Sequence, residues 1–373
     1  WTSDPNPARG PQVEAFERWM VERGYPAVDF RLDSNNSGIM KVIIQSACGV
    51  GSEIVDVYGG AQLRQYVASG VLTDLTDLAA EYGFGLDRTY ASVREEICVD
   101  GRQYAFPCNV SANPFTINRA VLEREGLPLP KFDWTWEEFL DWCLKVRKVS
   151  PEGRVERFAV LPFGAPRVWP TNGGAVFNET MTRCTLDSPE VLEATRFYYD
   201  LMFKHRVMPT PVDIASMAAQ GGYAGGSLQW LGRGVVLGVV MGRYSLIQLR
   251  KFPDFKPDVA LIPYRVMPMQ HVISRAAAIN RCASDVRLAA RFCQFLADEP
   301  YNRIIIGDAD ALPPNPAMVR VPEFLDPPDH PGEAGAHEKY YIAAERYGVG
   351  REMSRFLLPT TVDRIVQRYL SGV

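Results

Sequence analysis

The chain has 373 residues, 47% of them hydrophobic, and 40 basic residues against 44 acidic ones give a formal charge of -4. A chain longer than roughly 250–300 residues splits into more than one core, so two domains are expected. The near-balanced charge, with no basic run, argues against a nucleic-acid partner. The longest apolar stretch, "GVVLGVVMG" at 234–242, falls short of the ~20 residues that span a bilayer.

In chain order, "FERWMVERGYP" (16–26) reads as an amphipathic helix with a Gly-Tyr-Pro stop, and "AVDFRL" (27–32) alternates Val28, Phe30 and Leu32 with strand period. "SGIMKVIIQSACG" (37–49) reads as a helix, "EIVDVYGG" (53–60) as a buried strand ending in glycines, and "AQLRQYVASG" (61–70) as a helix with a Gly stop. Such alternation predicts a mostly parallel sheet covered by helices. "EEICVDGRQYAFP" (95–107) is a hairpin about Asp100-Gly101, a pair suited to the positive φ angles of a tight turn. "YAFPCNVSANPFTINR" (104–119) then continues as a long extended segment, marked by prolines and polar residues, and enters a helix at Asn118.

Further on, Thr135 and Glu138 in "DWTWEEFLDWCLKVRK" (133–148) form a capping box, with Trp134 stapled onto Phe139. "DSPEVLEATRFYYDLMFKHRVMP" (187–209) has Ser188 as N-cap and Pro189 at the first helical position. "VVLGVVMG", "DVALIPY" and "HVISRAAAIN" read as buried strands, 284–306 as a helix-rich stretch, and "ADALPPNPAM" (309–318) as a second proline-marked extended link. "HEKYYIAAERY" and "DRIVQRYL" near the end read as helices. Seven cysteines, at 48, 98, 108, 143, 184, 282 and 293, form no CxxC, and most of them read as buried small hydrophobes; Cys98 and Cys108 are offset about the hairpin turn rather than opposite one another. The four histidines lack i, i+4 spacing, so no metal site and no cofactor are expected.

The order of these segments resembles the extracellular solute-binding proteins of ABC importers, in their sugar-binding, maltose-binding-protein-like branch (family 1). The resemblance spans nearly the whole chain and rests on "WTSDPNPARGPQVEAFERW", "IVDVYGGAQLRQYVASGVLTDLTDL", "GRQYAFPCNVSANPFTINRAVLEREGLP", "WTWEEFL", "NGGAVFN" with "LDSPEVLEATRFYYDLM", and "SRAAAINRCASDVRLAARFCQFLADEPYNR". It implies a two-lobed α/β periplasmic-binding-protein (type II) fold with extended hinge crossings and an interlobe cleft. The expected lobes are 1–110 with 270–313 and 111–269 with 314–373, with crossings around 107–114, 264–271 and 312–318. The implied function is capture of a carbohydrate by hinge closure and its delivery to an ABC transporter membrane permease, without catalysis. The resemblance places the protein in the periplasm or outside the cell, monomeric, and held at the membrane by the transporter or by a lipid anchor outside this chain.

A sugar site needs aromatic platforms for C–H faces and planar polar groups for hydroxyls. Trp169 and Trp230 stand among Gly, Pro and Asn, and with Asn172 are expected in the cleft, whereas Trp134, Trp136 and Trp142 lie on or beside a capped helix and read as packing. Tyr58 and Gln62 follow a buried strand, and Arg243 and Tyr244 close another, at carboxyl ends where open α/β sheets collect ligands. Asp4, Asn6 and Arg9 lie in the "DPNPAR" loop, where Arg9 reads equally as a brace. Asn109 and Ser111 lie on the first crossing, with backbone satisfaction as their plain alternative, and His271 and Arg275 stand near the second.

Two rival classes stay open. A glycan-active enzyme, a hydrolase or lyase, needs two facing carboxylates, and the adjacent pairs Glu95-Glu96, on a strand, and Glu137-Glu138, in a helix's first turn, read instead as solvated or capping charges. A binder of a non-sugar ligand is suggested by the Tyr198-Tyr199 and Tyr340-Tyr341 pairs, whose helical spacing favours packing.

Overall fold

The computed structural model describes residues 1–34, 38–217, 225–350, 354 and 359–371. Two compact units emerge: unit 1 is Trp1–Ser111, Val272–Arg320 and Gly350–Val373, and unit 2 is Ala112–His271 and Val321–Val349. The chain passes between them at Ser111/Ala112, His271/Val272, Arg320/Val321 and Val349/Gly350. Residues 314–320 and 350–373, placed in the second lobe by the sequence reading, group with unit 1.

Unit 1 is organised by β1 (Ile54–Tyr58), β2 (Ala105–Ala112) and β3 (Gln270–Ile279). β1 runs antiparallel to β3 with Ile54 opposite Ile279 and Tyr58 opposite Arg275, and β2 also pairs with β3. The sheet is therefore mixed rather than mostly parallel, because β3 comes from unit 2 and runs against β1. The expected strand at 27–32 is absent. Thr2 and Asp33 bridge there, while Val28 and Phe30 pack their side chains onto the core without a ladder.

Helix α1 (Arg9–Glu22) starts earlier than the periodicity alone suggests, and α2 is Ile39–Ala47, so Ser37 of the expected helix lies outside the described residues. α3 (Gly59–Ala68) follows β1 through Gly59 at φ 76, a left-handed angle that a side chain resists. The hairpin forms as expected, Cys98–Val99 against Arg102–Gln103 with positive φ at Asp100 and Gly101. Glu95 and Glu96, expected on a strand, lie in the short helix Arg94–Ile97. The helix-rich stretch over 284–306 forms two helices, Val286–Ala297 and Glu299–Asp308; the second starts afresh with Asp298 as its side-chain cap and a proline in its first turn. The core packs Phe16, Trp19, Phe292, Phe295 and Tyr301 through edge-on and tilted ring contacts.

Unit 2 holds a five-stranded sheet ordered 148–149, 155–160, 236–240, 115–118, 257–260. Its central strands are Phe115–Asn118, Val155–Val160 and Val236–Val240; the last two run parallel, and the first runs antiparallel to Val236–Val240. Gly238 is required at this centre, since a Cβ there would stand 2.9 Å from Val160. The capping box closes the helix Trp136–Val146 with Glu138 N donating to Thr135 Oγ1 at 3.3 Å and Thr135 N donating to Glu138 Oε2 at 3.0 Å. Trp134, Phe139 and Phe163 pack around Phe115, so that tryptophan is core as its helical context implies. Ser188 caps the helix Pro189–Phe203.

Candidate functional site

On unit 1 the carboxyl end of β1 delivers Tyr58, 43% exposed, next to the loop that opens the chain. Tyr58 Oη donates to Asp4 Oδ2 at 3.1 Å, and Arg9 donates to the same carboxylate through Nε (2.7 Å) and Nη2 (3.2 Å). Burial pushes the Asp4 carboxyl up, but the Arg9 hydrogen bond, the Arg275 and Arg9 charges and the Tyr58 hydroxyl outweigh it and hold Asp4 below its usual range. The half-buried Asp4 is thus a fixed anion with a phenol beside it, able to accept from ligand hydroxyls.

The layer beneath is braced. Arg9, 1% exposed, also donates to Asp310 and to Gln12 Oε1, so it holds the loop rather than reaching a ligand. Arg275, expected at the ligand, is buried as well. Its Nε donates to Asp56 Oδ2 at 2.8 Å, its Nη2 donates to Ser3 Oγ at 2.7 Å, and its guanidinium lies over the Trp1 ring at 4.9 Å. Asp56 accepts also from Trp1 Nε1 and Ser3 Oγ. Buried Asn6 turns its Oδ1 to the Ala8 N–H, while its Nδ2 and the Arg275 Nη1 meet no acceptor among the described residues. Gln62 is spent locally, accepting from the Tyr58 N–H and donating to Tyr66 Oη, both at 2.8 Å. Asn109 and Ser111 are buried on β2 on either side of Val110, whose backbone exchanges two hydrogen bonds with Leu312.

On unit 2 several expectations are corrected. Trp169, 2% exposed, is sealed inside, with its Nε1 donating to Thr195 Oγ1 at 2.9 Å on the helix Pro189–Phe203, so neither ring face can serve a sugar. Asn172 is buried beside it and donates to the Glu190 carbonyl and the Glu193 carboxylate. Arg243, 1% exposed, donates from Nε to His337 Nδ1 at 2.8 Å and lies over Phe324. Tyr244, the next residue, stays half-buried, and burial pushes its phenol pKa up. Trp230 is half-buried on the helix Gly225–Gly232 rather than in a loop. His271 is half-buried at the second position of β3, opposite Val349.

The rival carboxylate pairs serve the fold: Glu96 is buried and accepts from Ser274 N at 2.8 Å, and Glu138 is the capping residue. Tyr198 accepts from the Gly164 N–H and Tyr340 is buried against Thr116 Oγ1, as packing implies. Among the described residues no cluster of three His, Cys, Asp or Glu has metal-site geometry, and no helix is long and apolar enough to cross a membrane.

Sequence reasoning missed Arg167. It ends the short 3-10 turn Ala165–Arg167 that follows the strand Val155–Val160, and it is half-buried. Its charge bears on the Tyr244 phenol and favours the ionised form, against the burial that pushes the phenol pKa up. The usable signal was its place in "FGAPRVWPTNGG" just past a buried strand, where the tryptophan drew the attention.

Solved structures align with the whole chain. An ABC substrate-binding protein from Listeria monocytogenes in complex with cycloalternan matches at 20% identity and TM-score 0.80, over 99% of this chain and 90% of that one. Maltose-bound MalE3 of T. maritima matches at 17% identity and TM-score 0.74, over 99% and 92%. UgpB from Mycobacterium tuberculosis in complex with glycerophosphocholine matches at 18% identity and TM-score 0.74, over 98% and 88%. These likenesses give the two-lobed α/β fold expected from the sequence. The profile of bacterial extracellular solute-binding proteins covers residues 5–302, well over half of the chain. The protein therefore belongs to the bacterial extracellular solute-binding protein family.

Proposed function

We propose that this protein captures a mono- or oligosaccharide and hands it unchanged to the membrane permease of an ABC importer, working as a monomer in the periplasm or at the cell surface. Its family is one of binding proteins rather than enzymes. The observation that carries the sugar reading is whole-chain similarity to solute-binding proteins whose structures hold cycloalternan and maltose. Support from this chain is the Asp4 carboxylate, fixed by Arg9 and touched by the Tyr58 hydroxyl, which is the acceptor geometry that sugar hydroxyls require.

In this reading Asp4 and Tyr58 are the contacts of unit 1, with Asn109, Ser111 and the spare Asn6 Nδ2 behind them. Tyr244 and Trp230 are those of unit 2, with His271 at the crossing. The extended crossings take up the φ/ψ change as the ligand is engaged and released, and the ligand stabilises the engaged state only by what it gains there over the open one.

The test is a thermal-shift screen against neutral and acidic mono- and oligosaccharides, followed by calorimetry on each hit. A ligand at a hundredfold excess over its Kd adds about 2.7 kcal/mol of apparent stability. Recovery of the ligand intact is expected; new reducing ends on incubation would overturn the binding reading in favour of an enzyme.

A further inference from the structure

We propose that Arg167 reads an anionic group, a carboxylate or a phosphate, on the ligand. This deepens the carbohydrate reading above and rests on it for the rest of the ligand.

The argument starts from how unit 2 treats its other arginines that are not fully exposed. Arg157 forks onto Glu125 at 2.8 and 2.9 Å, and Arg250 donates to both oxygens of Glu333. Arg243 donates to His337, Arg119 to the Gly332 carbonyl and Arg147 to the His205 carbonyl. Arg167 is half-buried like several of these, yet its guanidinium donates to no group among the described residues and forms no ion pair with them. A cation drawn partly out of water without a counter-charge is costly, and such groups are retained where a charge arrives from outside.

Position and surroundings agree with that role. Arg167 follows the carboxyl end of Val155–Val160, and Tyr244 follows the carboxyl end of the parallel neighbour Val236–Val240, so both lie past the same edge of one sheet. Ligands of α/β sheets collect at such an edge. Burial holds the Arg167 pKa below its ordinary value, and the Tyr244 phenol, neutral at ordinary pH, is the neighbour that opposes this. Guanidinium offers a planar fork that a carboxylate or phosphate accepts bidentately, and neutral hydroxyls do not match that fork. The three arginines expected among the ligand residues, Arg9, Arg243 and Arg275, are each committed inside the protein, whereas Arg167 is not.

The experiment measures Kd by calorimetry for a uronic-acid sugar, a sugar phosphate, the neutral counterpart of each, and glycerol phosphate as an anion without a sugar ring, on the wild type, Arg167→Gln and Arg167→Lys. The expected result is preference for the anionic sugar by about tenfold to a hundredfold, loss of that preference in Arg167→Gln with the neutral counterpart unchanged, and partial retention in Arg167→Lys. The uronate and phosphate arms show which group is read. Neutral sugars binding as tightly as anionic ones would overturn the inference while leaving the carbohydrate reading intact. Arg167-dependent binding of glycerol phosphate with no sugar binding would uphold the inference and overturn that reading. Binding of none of them would overturn both. A second readout separates recognition from structure: without ligand, Arg167→Met is expected to melt no lower than the wild type, and a clear fall in its melting temperature would assign Arg167 to the fold instead.

Discussion

Protonation of His337 is expected to unfasten unit 2. The helix Ala336–Glu345 places His337 fully buried, with Nδ1 accepting from Arg243 Nε at 2.8 Å and Nε2 facing Glu333 Oε2 at 2.9 Å. Because Nδ1 is an acceptor, the neutral ring must carry its proton on Nε2, donating to Glu333. Glu333 in turn accepts from Arg250 Nε and Nη2, one on each oxygen. Burial first, and then the Arg243 and Arg250 charges against the help of Glu333, bring the His337 pKa from 6.5 down to about 4. An unfolded histidine takes up its proton through about pH 6.5, whereas the folded one resists until about 4, so the unfolded state binds more protons in that window. Stability is complete above the window and is lost as pH falls through it, by roughly 2.5 kcal/mol between about pH 7.5 and about pH 4.5. Urea midpoints at those two pH values, on the wild type and on His337→Gln, provide the assay. Gln keeps an acceptor and a donor without titrating, so the variant should lose about 2.5 kcal/mol less than the wild type over the same interval. Parallel losses in the two proteins would refute the lowered His337 pKa and the pH dependence drawn from it.

Other perturbations follow from the same contacts. Asp310→Asn strips buried Arg9 of a charge partner and is expected to cost about 3–5 kcal/mol by denaturant unfolding; a change within about 0.5 kcal/mol would mean that the pair does not brace the opening loop. Thr135→Ala removes one arm of the capping box and should cost about 1 kcal/mol, checked by melting temperature. Asp4→Asn keeps the shape but removes the fixed anion, and calorimetry should show sugar affinity falling about tenfold or more, with unchanged affinity placing the ligand elsewhere. Trp169→Phe is expected to lower stability while leaving sugar affinity within about twofold, because the ring lies against Thr195 rather than at a surface.

What the sequence disclosed was what neighbouring residues decide among themselves. The Asp100-Gly101 turn, the Thr135 to Glu138 box and the Ser188 cap involve partners within a few residues, and each forms where it was read. Strand direction was misjudged because β3 enters from the other unit, a fact that alternation of helices and strands does not encode. The site was legible only to the level of loops at strand ends. Trp169 has the Gly and Pro neighbours of an exposed platform, yet Thr195, 26 residues later on the helix Pro189–Phe203, covers it. Arg9, Arg243 and Arg275 were candidates for the ligand because the partners that bury them, Asp310, His337 and Asp56, are far away in the chain. For Arg167 the converse holds: its place past a buried strand is written in the sequence, but its lack of a partner among the described residues appears only in the folded arrangement.

The most direct measurement of the central claim is a calorimetric titration of the intact protein with the carbohydrate that gives the largest thermal shift, with the solution assayed afterwards for the ligand. The account predicts saturable binding of one ligand per chain, weakened by Asp4→Asn, and full recovery of the sugar unchanged. Absence of saturable binding across the carbohydrate panel, or a ligand consumed during the titration, would contradict it.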